Sequence, residues 1–482
     1  MKKIYISTVL ILLTLVSCEK NFDEFNKNTN DPTSATAESL LPHGIESAVD
    51  LYMGNATYSL GMDVGNLWPQ HWARIQYVES DQYNIPSEVI DQSWRDFYTE
   101  SLADFNKINI LGQAAGNENY QAIAIIMRSW VFQLLTDIYG DIPYSEALKG
   151  SDGAYSPVYD SQKDVYAGLV ADLKSASDMI NTKAVSSTGD ILFAGNMSKW
   201  KKFANSLSLR ILIRMIGKAD ASIDVNAEIT RILSNPETYP VFTSKSDMAS
   251  LAYLAQSPSN NPINENRKTR DDHRISKTMV DKLKLFNDAR LAVYANKPEA
   301  GGDYVGLPNG LNAADANSYG LAKTSKIGSY FTAATAPGVL MSYAELLFIK
   351  AEAAYNGITA AGDVETNYID AIKASHEQFS LVASDTYLSG VAYKGGNEGY
   401  TQIMEQKWIA LFGQGLEAWA EQRRSGIPVL TAPVSNFNDN IVPTRLPYPS
   451  SEEALNSSNF ASALSRQGGE NDKKLKLWFE QE

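Results

Sequence analysis

The sequence predicts an all-α chain of paired helices that carry long, elaborated loops. Three observations lead there: helical hydrophobic periods over most of the length, short turns between periodic windows, and aperiodic stretches that keep their aromatic residues. From Tyr120 the apolar positions Ile123, Met127, Trp130, Val131, Leu134 and Ile138 recur at three and four residues, and Gly140 followed by Pro143 predicts the stop. Trp200, Phe203, Leu207, Ile211 and Met215 make a second stripe ending at Gly217. Further helices are predicted near 92–111, 160–181, 276–287, 340–356, 363–377 and 400–422. Short connections between them favour antiparallel hairpins stacked side by side.

Within MSYAELLFIKAEAAYNG (341–357), small and large apolar residues alternate as in a tetratricopeptide helix, where alanines let two helices approach closely. No 34-residue signature repeats along the chain, so this stretch supports a helix-pair superhelix only locally. The segments at about 57–91, 240–275 and 300–338 have no period. Loops of that length inside a compact body are usually functional, and their Tyr, Trp, Asn and Gly content argues against plain linkers.

The N-terminus reads differently. Met1-Lys2-Lys3 precedes an uncharged run from Ile4 to Val16 and then Ser17-Cys18, the pattern of a secretory signal. As a helix that run would span roughly 20 Å, too short for a bilayer core of about 30 Å. Leu15-Val16-Ser17-Cys18 matches a bacterial lipobox, in which the cysteine thiolate attacks a lipid donor and becomes the acylated N-terminus. Cys18 is the only cysteine, so neither a disulfide nor thiol catalysis is expected. The following EKNFDEFNKNTNDP is polar and aperiodic, as a tether would be. The expected organisation is a signal peptide at 1–17, a lipidated flexible tether at 18–35 and a single α-helical domain at 36–482.

Composition narrows the function. The formal charge is −14, and loss of Lys2 and Lys3 with the signal takes it to −16, which repels nucleic acid phosphates. His43, His71, His273 and His376 are scattered, with no HExxH spacing, and no CxxC, GxSxG or P-loop occurs. No DxDxDG calcium loop is present, and no cofactor or metal is expected. Asp271-Asp272 and Glu452-Glu453 are the acidic pairs a glycosidase reading would have to use, and adjacent surface carboxylates are usually only solvated.

Sugar binding needs flat rings for C–H faces and amides for hydroxyls. The segment GNLWPQHWARIQYVESDQYN (65–84) supplies both: Trp68, Trp72, Tyr77 and Tyr83 as rings, and Asn66, Gln70, Gln76 and Gln82 as amides. Pro69 disfavours a helix running through Trp68, which weakens the alternative of one buried helical stripe. Arg210, Arg214, Glu345, Glu352, Arg423 and Arg424 lie on or beside helical stripes, and a structural role in pairing layers is expected of them.

LLTDIYGDIPYSEAL (134–148), WKKFANSLSLRILIRM (200–215), VLMSYAELLFIKAEAAYNG (339–357), EAWAEQRRSGIPVL (417–430) and PTRLPYPSSE (443–452) follow SCEKNFDEFNKNTNDPT in an order that resembles the SusD/RagB family of outer-membrane nutrient-binding lipoproteins, in its SusD-like branch. The resemblance implies four tetratricopeptide-like helix pairs whose loops form a ligand face. It implies an oligosaccharide ligand, with a peptide as the alternative because some relatives resemble peptide-uptake lids, and a TonB-dependent SusC-like barrel as partner. The acidic residues Glu19, Asp23 and Glu24 resemble the signal for export to the outer face of the outer membrane. By the same resemblance, Tyr253, Asn264, Tyr304, Tyr319 and Tyr330 are secondary ligand candidates, placed by region. A lipid-anchored glycosidase and a periplasm-facing scaffold are the competing readings.

Overall fold

The computed structural model describes residues 35–54, 60–183 and 188–481, so the predicted signal, Cys18 and nearly all of the tether lie outside the described residues. The chain enters through α1 (Ala37–Met53), a helix that the periodicity reading did not anticipate because Pro42 interrupts its first turns. Leu41, Ile45, Ala48, Val49 and Tyr52 nevertheless form a continuous buried stripe. A π-turn follows (Gly61–Asn66), then β1 (Trp72–Arg74) and α2 (Ser87–Asp96). A second π-turn (Phe97–Leu102) joins α2 to α3 (Ala103–Ala114), so the stretch predicted at 92–111 is one nearly unbroken rod.

Four hairpins carry the body of the described chain. They are α3 with α4 (Glu118–Tyr139), α5 (Gln162–Met179) with α6 (Met197–Met215), α9 (Tyr343–Tyr355) with α10 (Val364–Gln378), and α11 (Gly396–Ala410) with α12 (Gly415–Ser425). Between the second and third lie α7 (Val225–Leu233) and α8 (Lys277–Leu285) among the long loops. Asn117, Ser161, Asn196, Ser342 and Asp363 each cap a helix by accepting an amide from its first turn. The helix predicted over 400–422 is two helices, because Gly413 turns the chain at φ +85°, a left-handed conformation glycine adopts without strain. Ala344, Ala351 and Ala371 sit buried where α9 meets α10, the close approach expected from their small side chains.

The three predicted loops are stitched by two small sheets. β1 pairs antiparallel with β3 (His273–Ile275), Trp72 opposite Ile275 and Arg74 opposite His273. β2 (Ala249–Leu251) pairs with β4 (Gly338–Met341), which leads into α9. The last helix, α13 (Ser457–Gln467), follows a short helix at Ser450–Leu455.

The arginines and glutamates on the helical stripes form a buried network, as expected. Arg214 bonds Asp137 on α4 and Glu417 and Glu421 on α12, the last two at 2.6 Å each. Lys407 reaches Glu421 at 2.6 Å, and Arg424 holds Glu352 through two contacts of 2.7 Å. All four hairpins are thereby tied through their polar faces. Nearby cations hold Glu421 well below the usual carboxylate range despite its burial.

Candidate functional site

The π-turn sets the position of everything after it. A Cβ on Gly65 would stand 2.7 Å from the Leu416 amide nitrogen, and one on Gly415 would stand 2.4 Å from the Gly65 carbonyl carbon, so backbone packs directly on backbone at the start of α12. The tryptophan-rich segment beyond it is a plug pinned to the last hairpin. Trp68 is fully buried, edge-on to Trp419 at 5.0 Å and to Tyr83 at 5.9 Å, and its indole N–H donates to the Ser80 carbonyl at 3.1 Å. The Trp408 indole donates to the Pro69 carbonyl at 2.9 Å, and His71 meets the Trp408 carbonyl at 3.0 Å. Burial lowers His71 to about 3, so its ring is neutral.

Trp72 and Tyr83 are also interior, as are Asn66 and Gln70. Asn66 donates to the Gly61 carbonyl at 2.9 Å, while Gln70 donates to the Thr431 carbonyl at 2.8 Å and accepts from Thr278 at 2.7 Å. The expectation that Trp68, Trp72, Tyr83, Asn66 and Gln70 offer an exposed ligand shelf is therefore corrected. Their rings and amides are spent on holding the loop, because a segment without secondary structure has to bury apolar area and satisfy its backbone by side chains.

Tyr77 is the exception. Its ring is 59% exposed, with the neighbouring Gln76 also at the surface. The residue sits at φ +53°, a left-handed conformation that costs a bulky side chain on the order of 1–3 kcal/mol. Arg74 holds it there: Nη1 donates to the Tyr77 carbonyl at 3.2 Å, while Nε and Nη2 grip Asp63 at 2.9 and 2.6 Å. Above the ring lies Arg270, with Cζ 4.7 Å from the centroid. Around Arg74 lie Asp81, which accepts its amide at 3.0 Å and is pushed up to about 6 by burial, and His273, lowered by burial and by Arg74.

Two further loops meet this one. The Gln82 carbonyl accepts from the Phe437 amide at 2.8 Å, and its side chain donates to the Leu311 carbonyl at 3.1 Å. Phe437 is 61% exposed, in the asparagine-rich stretch SNFNDN. Tyr319, half-buried, packs with Leu311 on Ala73, Ile75 and Leu307. These joined loops leave the Tyr77 and Phe437 rings and the Gln76 amide exposed.

A family described as SusD-like, "Starch-binding associating with outer membrane", matches residues 29–449. The chain belongs to this SusD-like family. Among solved structures, a chitin-binding protein is 28% identical with a TM-score of 0.81, covering 93% of this chain and 100% of its own. A SusD homolog from Bacteroides uniformis is 23% identical with a TM-score of 0.81, covering 92% and 99%. A chitin-binding SusD homolog from Flavobacterium johnsoniae is 22% identical with a TM-score of 0.79, covering 92% and 98%. No curated protein matches the chain.

The SusD-like resemblance had also pointed to five secondary residues. Tyr253 is buried with its hydroxyl donating to Asp50, and Asn264 donates to the Thr332 carbonyl at 3.0 Å. Tyr330 packs on Phe331 and Phe379, and Tyr304 lies half-buried under Lys297. Of the five, Tyr319 packs against the Tyr77 loop through Ala73 and Ile75, and Tyr253 is corrected to a core residue. Phe437 and Arg270 escaped the sequence reading. An aromatic ring isolated among asparagines was the available signal for Phe437; nothing distinguished Arg270 within its basic run.

A separate cavity of about 540 Å³ opens between α2, Leu148 and Leu455. Its carboxylates are already engaged, Glu452 by the Tyr159 hydroxyl at 2.5 Å and Asp91 by Ser450. Of the other acidic pair, Asp271 meets Arg267 at 2.9 Å and Lys326 at 2.7 Å, and Asp272 is buried with Arg74 and Arg270 at 3.8 and 3.9 Å. Among the described residues no His, Cys, Asp and Glu group is arranged to hold a metal ion.

Proposed function

We propose that this SusD-like protein is a non-catalytic, lipid-anchored receptor on the cell surface that binds a nutrient oligosaccharide and hands it to a TonB-dependent SusC-like barrel. The observation that carries the binding step is Tyr77, an exposed ring whose backbone is held in a left-handed conformation by a buried arginine, beside the exposed Gln76 amide. A tyrosine face accepts the C–H side of a pyranose, and the adjacent Gln76 can bond its hydroxyls. The relatives named as chitin-binding support a carbohydrate over a peptide.

Calorimetric titration of the purified protein against a glycan panel tests the reading. Saturable binding that Tyr77→Ala abolishes supports it; binding to peptides alone would leave the receptor role and change the nutrient. Release of reducing ends on incubation would point to a glycosidase instead. Protease shaving of intact cells tests the location, since a chain that survives shaving faces the periplasm. Cys18→Ser should release the chain from the membrane, and co-purification of a barrel with the wild type tests the partner.

A further inference from the structure

Arg270 differs from the other cations of its own loop. In NENRKTRDDHR (264–274), Arg267 meets Asp271 at 2.9 Å, Lys268 meets Glu265 at 2.5 Å, and the buried Arg274 bonds the Thr324 hydroxyl at 3.0 Å and the Leu321 carbonyl at 3.2 Å. The Arg270 guanidinium makes no hydrogen bond to a described residue. Its nearest carboxylate, Asp272, stands 3.9 Å away, beyond bonding distance, and that side chain is only 3% exposed. Arg270 itself is about half exposed at 48%.

The same group is held over the Tyr77 ring by a cation–π contact, its Cζ 4.7 Å from the centroid. With its charge lying over the ring, the guanidinium keeps a fork of N–H donors that has no hydrogen-bond acceptor among the described residues. That fork matches two oxygens of a carboxylate or sulfate, and because it is already oriented, little side-chain freedom is lost on binding. The chain's net charge of −14 repels anions as a whole, so any preference for an acidic ligand has to come from a local contact of this kind.

We infer that Arg270, held over Tyr77, makes the loop face selective for acidic oligosaccharides, in which a sugar lies against the tyrosine and its carboxylate or sulfate engages the guanidinium fork. The inference rests on the glycan-binding reading and names the ligand class for that site. It also assigns Arg74 a supporting part, because the Tyr77 backbone that carries the ring is held by its guanidinium.

Matched pairs of glycans test it. Hexagalacturonate is compared with its methyl ester, and a chondroitin sulfate oligosaccharide with its desulfated form, by calorimetric titration of the purified chain. At least one acidic member should bind tenfold or more tightly than its neutral counterpart. Which pair shows the difference separates carboxylate from sulfate. Arg270→Gln should remove the preference, and Arg270→Lys, which keeps the charge and loses the fork, should restore only part of it, with unchanged circular dichroism in both. Equal affinities within every pair, or a preference untouched by Arg270→Gln, overturns the inference. If neutral glycans bind through Tyr77 while acidic ones do not, the inference falls and the receptor reading stands; if no glycan of either kind binds, both fall.

Discussion

Arg210 on α6 and Glu345 on α9 stand 135 positions apart in the chain and meet in a two-point ion pair of 2.6 and 2.7 Å, both side chains buried. The second Arg210 contact also carries the Leu340 carbonyl at 2.7 Å, so the pair fixes β4 against the second hairpin. Removing one partner leaves a charge in the interior without compensation. Arg210→Met should therefore lower stability by about 3–5 kcal/mol, whereas the double change Arg210→Met with Glu345→Leu should recover much of that loss. Urea denaturation midpoints of the four proteins in this cycle provide the check; equal midpoints for the single and double variants would contradict the pairing argument.

Trp68 and Tyr77 lie nine positions apart and should behave oppositely. Trp68→Ala empties a site packed by Trp419 and Tyr83, which should cost about 3–5 kcal/mol of stability. Tyr77→Ala removes a ring that is 59% exposed and should leave the thermal midpoint nearly unchanged while abolishing glycan binding. Melting curves and titrations of the two variants separate the roles, and a Tyr77→Ala protein that unfolds early would place Tyr77 among the structural residues.

Tyr77→Gly goes one step further. Glycine adopts φ +53° freely, so the substitution relieves the backbone strain while deleting the ring. Stability should hold or rise by up to about 1 kcal/mol, with binding still lost. A stabilised, non-binding protein is the expected outcome of differential scanning calorimetry paired with titration.

Asp50 makes stability depend on pH. Burial pushes its carboxyl from the ordinary carboxylate range up to about 7, with Glu46 adding to the rise and the Tyr253 hydroxyl opposing it. Between pH 4 and 7 the folded chain keeps a proton that the unfolded chain has released, so stability contributed by this group falls as pH rises through that window and levels off above it. Asp50→Asn should flatten this slope and raise the melting temperature at pH 8 relative to wild type. An unchanged slope in melting temperature from pH 4.5 to 8 would remove Asp50 as its source.

The helices were legible because their apolar periods are long. α4, α5, α6 and α10 lie where the stripes of Ile123, Trp200 and their neighbours place them, and Gly140 ends α4 as its sequence context indicates. α1 was missed because Pro42 disguises the start of its stripe, and α11 and α12 were merged because Trp408 and Trp419 keep the period running across the Gly413 turn. The ring-and-amide segment at 65–84 was recognised as special, but which of its members face outward was not. Trp68, Trp72 and Tyr83 turned inward, and Tyr77 alone kept an open ring.

By itself the sequence determined the helical class, most of the long helices and the family, because these rest on periodicities and local signals that neighbouring residues carry together. The tertiary structure alone decided which aromatic residues are exposed. A loop has no period to assign its sides, so the burial of Trp68 depends on Trp419, a residue far along the chain that is brought close only by folding, while Tyr77 stays exposed on a local turn held by Arg74.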